Sequence, residues 1–322
     1  MGTGENLRAT PAGLHHVCAG ARFEHLPCGL CGADAPVPKG RRADGLLLVE
    51  CTRCGLAYLD PMPDEASVRR LYSTDYFGLE GCSSTGTYRN YARSHRHSAD
   101  PRRLDFRLIA ENVGDLAGKR VLEVGCGLGD LLEVFQRAGC ECAGVELNPA
   151  AADETRRRLG VPVFGEPLEQ CRPQGFDIVV ANAVLEHSRH PGVFLDTAAQ
   201  ALRPGGLLML SSPNWDCAKD HDRNWVHWWG DFEHLCYFSR DVLVRACNAR
   251  GLALVVEGSW GPRATREGIR RRTAVKRLKE FVKDVPVIGP LLLNAKRTAF
   301  PERLGPVTTE LADYVALFRK VA

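Results

Sequence analysis

The sequence predicts an α/β fold in which a mainly parallel sheet carries helices on its faces and a small cysteine-stapled module precedes it. Three observations carry this expectation. A short apolar strand, Lys119–Val124, runs into Gly125, Gly127 and Gly129, a helix begins directly after them, and a second strand follows at Cys142–Glu146. Two Cys-x2-Cys units stand near the N-terminus. The length, 322 residues, leaves room for roughly two domains, or for one large domain with an added module.

Composition narrows the class. Apolar residues make up 44% and charged residues 25% of the chain, which argues against wholesale disorder, a fibre or an integral membrane protein. No run of eighteen apolar residues occurs, and the first thirty residues hold no signal-peptide core, so a reducing cytoplasm is the expected compartment. The net charge of +3 is too small for the whole chain to act as a polyanion binder. Thirteen cysteines cannot all pair, and clustered cysteines in a reducing compartment read as metal ligands first.

Taken in chain order, residues 1–24 read as a flexible N-terminus. Cys28-Gly-Leu-Cys31-Gly32 and Cys51-Thr-Arg-Cys54-Gly55 are separated by nineteen residues. The glycine after each second cysteine allows a sharp turn that aims backbone amides at the thiolates. Cys28, Cys31, Cys51 and Cys54 are therefore expected to hold a structural Zn2+ in a closed tetrahedral site of zinc-ribbon type. Gly45–Glu50 reads as a short strand leading into the second unit. Some thirty residues bury too little surface to fold alone, and the metal supplies what the core lacks. With an aromatic connector, this module is expected to span 25–80, and one cofactor-binding domain to span 81–322.

A polar helical stretch, about Tyr88 to Val113, leads to the glycine loop; Tyr88 and Tyr91 read as half-buried packing residues or as a cap on a bound cofactor. Glycines in the loop let the backbone approach a ligand closely and leave the next helix N-terminus open. Glu123 would repel a pyrophosphate but can receive a cationic amino-acid head group. Twenty-one residues beyond Gly125, Glu146 ends the next strand, placed to accept hydrogen bonds from a ribose diol.

This constellation resembles the class I S-adenosylmethionine-dependent methyltransferases over about residues 100–260 plus the final strand. The resemblance implies a Rossmann-like seven-stranded sheet, with a helical insertion before the last strand. Glu123 to Gly129 match the family's first motif and Glu146 its ribose acid. Gly165-Glu-Pro-Leu-Glu169 lies where the adenine-side loop follows the third strand. Phe176–His187 is similar to the fourth strand and the segment along the methionine moiety, and Leu202–Leu210 to the turn into the fifth. By this resemblance, S-adenosylmethionine would be bound by Glu123, Gly125, Cys126, Gly127, Gly129, Glu146, Leu147, Glu166, Asn182 and Ala183. Val184-Leu-Glu-His187, Ser211-Ser-Pro-Asn214 and Glu233–Ser239 are similar to the ubiquinone-biosynthesis O-methyltransferase type. The ribbon, together with Tyr58–Pro63 and Tyr72–Phe77, resembles stand-alone ribbon methyltransferases of saccharide and secondary-metabolite pathways.

Methyl transfer from a sulfonium asks the protein mainly to align the nucleophile and to take its proton. His234, clustered with His227, Asp231 and Glu233, and His187, just past strand four, are the expected catalytic residues, because ligands of open α/β sheets lie at the carboxyl ends of strands. Each has a plainer alternative: His234 tying a loop to the core, His187 ordering a helix start. Trp215, Trp225, Trp228 and Trp229, with His221, form either an aromatic wall for a ring or sugar, or the packed underside of a loop.

From Arg263 to Arg297 eleven basic residues face three acids, Glu267, Glu280 and Asp284, so a basic segment is set against an acidic body. Val275, Leu278, Phe281, Val282 and Val285 recur at helical spacing, and an amphipathic insertion is expected over 263–300. It either docks on the domain or makes a peripheral membrane contact through 263–297 that would serve a lipid-linked acceptor. The expected activity is methylation of an oxygen on a small-molecule, saccharide or lipid-linked metabolite in a biosynthetic pathway. RNA methylation, with ribbon and basic segment gripping nucleic acid, and sugar C-methylation are the alternatives. Ala181-Asn-Ala-Val184 lacks the Asn/Asp-Pro-Pro-aromatic signature that holds a base amine, which argues against a nucleic-acid partner. Sugar C-methyltransferases carry a further large C-terminal domain, for which the chain offers no room. Oligomeric state is not legible in the sequence.

Overall fold

The computed structural model describes residues 20–42, 45–72, 104–219, 233–263, 304, 307 and 311–321. The N-terminal segment runs through β1 (Phe23–Glu24), β2 (Pro36–Arg41), β3 (Leu47–Cys51), β4 (Ala57–Leu59), β5 (Met62–Pro63) and α1 (Glu65–Leu71). Asp64 starts α1 by accepting a hydrogen bond from the Ser67 amide at 2.7 Å.

The larger part follows as α2 (Leu104–Val113), β6 (Arg120–Val124), α3 (Asp130–Arg137), β7 (Glu141–Val145), α4 (Pro149–Leu159), β8 (Val163–Phe164), α5 (Leu168–Cys171) and β9 (Phe176–Asn182). A 3-10 turn, Leu185–His187, leads to α6 (Pro191–Ala201), β10 (Leu202–Pro213), α7 (Trp215–Lys219), β11 (Cys236–Tyr237), α8 (Arg240–Asn248), β12 (Leu252–Arg263) and β13 (Leu311–Lys320). Asn148 caps α4 with Pro149 in its first turn, and Ser239 caps α8.

Seven strands form one sheet in the order β12-β13-β10-β9-β6-β7-β8. β6, β7, β8, β9 and β10 run parallel, and β13 lies antiparallel between β10 and β12. This is the expected Rossmann-like seven-stranded arrangement. The helical insertion expected over 263–300 lies outside the described residues.

Strand alternation divides the apolar side chains between the two faces. Val121, Ile178, Val180, Leu207, Met209 and Leu317 pack on one side with α2 and α3, while Leu122, Val124, Val179, Ala181, Leu208, Leu210 and Phe318 pack on the other. Each fully buried large side chain contributes about 1.5–3 kcal/mol.

The second face does not end at the sheet. Leu46, Leu48, Val49, Leu56, Tyr58 and Leu59 of the cysteine module belong to the same apolar cluster. The module's sheet, ordered β11-β4-β3-β2, takes its fourth strand from residues 236–237. A segment too small to enclose a core thus completes one by sharing it.

Candidate active site

Chain order reverses at β6, with β7 and β8 on one side and β9 and β10 on the other. At such a switch point the carboxyl ends of the strands open a crevice. A cavity of about 440 Å3 lies there. Gly125, just past β6, has a φ of +72°, and a Cβ on it would fall 2.6 Å from Val184 Cγ2. Only glycine fits both the conformation and the space. Ala183, between Val184 and β9, sits at φ +55°, and its N–H donates a hydrogen bond to the Ser211 carbonyl at 3.0 Å. Such a conformation costs a non-glycine residue roughly 1–2 kcal/mol, and strain of this kind gathers at functional sites.

Gly125, Gly127, Glu146, Leu147, Asn182 and Ala183 line the cavity. The Glu146 carboxylate accepts the Gly127 and Asn148 amides, each at 2.8 Å; burial raises its pKa, and these amides offset only part of the rise. Glu123 and Cys126 are buried and outside the lining, Cys126 packed against Gly144, and Gly129 begins α3 against Thr155. Glu166 also stands outside the lining, where Pro167, Leu168, Glu169 and Gln170 form the wall.

His187 lines the cavity, and His234 stacks behind it with ring centroids 5.2 Å apart. Their Nε2 and Nδ1 atoms, respectively, are buried and without a hydrogen-bond partner among the described residues. Burial pushes His187 down to about 4. Burial, then His187 and Arg42, hold His234 well below the ordinary imidazole range, so both rings are neutral near pH 7. Burial pushes the neighbouring Glu186 carboxyl up to about 8, and the Asp313 and Glu233 carboxylates add to the rise. Polar atoms of Glu186, His187 and His234 lie within 4.8 Å of one another. Such a trio can share a proton, and its donor set also suits a divalent cation.

The four module cysteines converge as their spacing predicts. Cys28 and Cys54 Sγ are 3.5 Å apart, Cys31 and Cys51 Sγ 3.6 Å, and all four sulfurs lie within 4.8 Å. A tetrahedron with Zn–S bonds of about 2.3 Å has edges of about 3.8 Å. The Cys31 and Leu30 amides face Cys28, the Ala33 amide Cys31, and the Leu56 amide Cys54. The set fits a closed zinc site.

Several residues escaped sequence reasoning. Glu65, Val68, Arg69 and Tyr72, in and just past α1, line the cavity, as do Arg189 and His190. The cap at Asp64 could have announced α1, but nothing in the sequence aims it at the crevice. Trp215 is buried against Tyr237, with centroids 5.7 Å apart, and packs the core. Tyr88, Tyr91, His221, Trp225, His227, Trp228, Trp229 and Asp231 lie outside the described residues.

A family model described as a methyltransferase domain matches residues 93–257. The ubiquinone biosynthesis O-methyltransferase of Idiomarina loihiensis is 31% identical over 172 residues, covering 48% of this chain and 70% of that protein. The enzyme of the same name from Bradyrhizobium sp. is 36% identical over 126 residues, 37% of this chain and 47% of its own length. Beyond the Idiomarina protein, the chain spans about half the length of the curated relatives it matches. Among solved structures, geranyl diphosphate C-methyltransferase from Streptomyces coelicolor A3(2) is similar with a TM-score of 0.49 at 16% identity, over 77% of this chain and 89% of that one. The glycine loop at a switch point, the buried acid after β7 and a family match across half of the chain agree: this protein belongs to the methyltransferase-domain family and is an S-adenosylmethionine-dependent methyltransferase.

Proposed function

We propose that the chain transfers a methyl group to a hydroxyl oxygen of a small-molecule or lipid-linked metabolite. The observation that carries this reading is that His187 lines the cavity and carries a buried Nε2 without a hydrogen-bond partner among the described residues. The two relatives named above are O-methyltransferases of ubiquinone biosynthesis, which supports an oxygen acceptor.

The loop around Gly125, which a Cβ would obstruct, and the Glu146 carboxylate fit S-adenosylmethionine, and Gly125, Gly127, Glu146, Leu147, Asn182 and Ala183 would hold it. When bound, S-adenosylmethionine supplies an electrophilic methyl group. The chain's own residues do the rest. Val68, Tyr72, Val193 and Phe194 wall the cavity with apolar surface and limit water. His187 Nε2 takes the hydroxyl proton. An oxygen that gains a methyl group becomes strongly acidic, so even an imidazole whose pKa is pushed to about 4 accepts that proton. His234 fixes the plane of the His187 ring by stacking.

Cys28, Cys31, Cys51 and Cys54 would hold Zn2+ in a structural role. Residues 263–297 would bring the enzyme to a lipid-linked acceptor at a membrane surface; no helix of the described residues is long and apolar enough to cross a membrane. Flotation with anionic liposomes tests this role, with the intact chain expected to float and a chain lacking 263–297 to remain below.

Labelled S-adenosylmethionine, offered with phenolic, catecholic and saccharide acceptors, tests the main reading. Label recovered in a methyl ether is expected. Label on carbon, or in RNA, would reject it.

A further inference from the structure

We propose that the four-cysteine module is a working part of the catalytic site, and that Arg42, carried on its hairpin turn, is the positioning residue that holds His234 in place. This rests on the reading that His187 and His234 serve the acceptor.

Both knuckles touch the larger part of the chain. Gly29, at the tip of the first, meets the loop after the 3-10 turn so closely that a Cβ would run into the Arg189 carbonyl and lie 2.9 Å from Pro191 Cδ. The Gly29 carbonyl accepts the Gly192 amide at 3.0 Å. At the second knuckle, Gly55 packs on Val242, and the Cys54 carbonyl accepts Arg245 at 3.0 Å. Each knuckle thus rests part of its surface on the chain's own α6 or α8.

The segment that leads from His234 into β11 is clamped from both sides. Leu235 donates to the Glu186 carbonyl at 2.8 Å, and its own carbonyl accepts the Leu59 amide of β4 at 3.0 Å. Cys236 and Tyr237 pair with Tyr58 and Ala57. One residue on each side of the ribbon–turn junction therefore sets the spacing between the two histidines.

Arg42 completes the clamp. The turn between β2 and β3 closes on itself through Arg42 N to Leu46 O and Gly45 N to Arg42 O, both 2.9 Å, and Arg42, only 3% exposed as a residue, sends its guanidinium into the junction. Nη1 donates to the His234 carbonyl at 2.5 Å and to the Tyr237 hydroxyl at 2.9 Å. Tyr237 in turn meets the His234 ring edge-on, with centroids 6.1 Å apart. Burying a guanidinium is costly, and an apolar residue would fill the same space more cheaply. What the arginine adds is a fixed position for the His234 backbone and a positive charge that favours the neutral ring.

The test uses the full-length protein with 13C-labelled histidine. The His234 ring signal, assigned by its loss in H234Q, should shift and broaden in R42M and stay near its place in R42K. Y237F, which removes only a hydroxyl, should move it in the same direction and guards against a failure of R42M to fold. Turnover in R42M should fall roughly tenfold to a hundredfold, as for a misplaced catalytic group, while the dissociation constant for S-adenosylmethionine stays within about twofold. An unmoved His234 signal in both R42M and Y237F overturns the proposal, and so does a loss of cofactor affinity in proportion to turnover. If the signal moves but H234Q keeps full turnover, the acceptor reading of His234 fails while its positioning by Arg42 stands.

Discussion

The His187 and His234 rings are stacked, their centroids 5.2 Å apart and their planes inclined by 23°. A proton taken at the cavity wall by His187 therefore has a second neutral ring behind it. His187→Gln should lower kcat by roughly 10²–10⁴-fold, the usual worth of a positioned base, and His234→Gln by less. Cofactor affinity, read by calorimetry, should hold in both variants. Parallel loss of affinity and turnover would make the pair structural.

Gly125 and Val184 give a second test. Gly125→Ala combines a left-handed backbone with a contact 2.6 Å from Val184 Cγ2, and S-adenosylmethionine binding should weaken by roughly tenfold or more, since the backbone strain alone is about 1–2 kcal/mol. Adding Val184→Ala removes the clash but leaves the φ, so the double variant should regain part of the affinity. Full regain would mean that the backbone conformation costs nothing there.

Glu186 predicts a pH dependence. Its folded pKa is raised to about 8 by burial, above an ordinary value of 4.5. The folded state therefore binds more protons than the unfolded one between those values. Its contribution is fully present below about pH 4.5 and is lost as the pH rises through about 8. Glu186→Gln does not titrate, so its melting temperature relative to the parent should climb across that window, by the equivalent of a few kcal/mol. A pH-independent difference would show that the carboxyl is not held protonated.

Metal removal addresses the module. Cys31→Ser should release zinc, measured by elemental analysis, and lower Tm by on the order of ten degrees, because a structural site contributes folding free energy. Turnover should fall further than cofactor affinity, since the module's β4 pairs with β11, which begins two residues past His234, and the glycine loop lies elsewhere. A variant that loses zinc and keeps its Tm would leave the metal without a structural role.

Much of this arrangement was legible in the residues because its signals are local. Val121–Val124, running into three glycines, announces a strand, a loop and a helix within a dozen positions, and the paired Cys-x2-Cys units carry their own spacing. What was not legible depends on contacts across long separations. β11 is two residues long and earns no periodicity, yet its pairing with β4 decides where His234 stands. Arg42, between Arg41 and Ala43 in a turn, reads as a solvated charge until Tyr237, 195 positions away, is seen to accept from it. α1 was hidden for the same reason: its cap is readable, but its place on the cavity wall is not.

The position of β13 between β10 and β12 has a consequence for synthesis. During translation the sheet carries a gap between two strands whose facing edges are both unpaired, and Leu311–Lys320 must emerge before the gap can close. Until then Leu207 to Pro213 and Leu252 to Arg263 present open edges, the kind of surface that chaperones attend and that neighbouring nascent chains can capture. Yield in the cell should therefore depend on how fast that one strand arrives, and stop codons placed before residue 311 should give insoluble product even though the glycine loop and both knuckles are already complete.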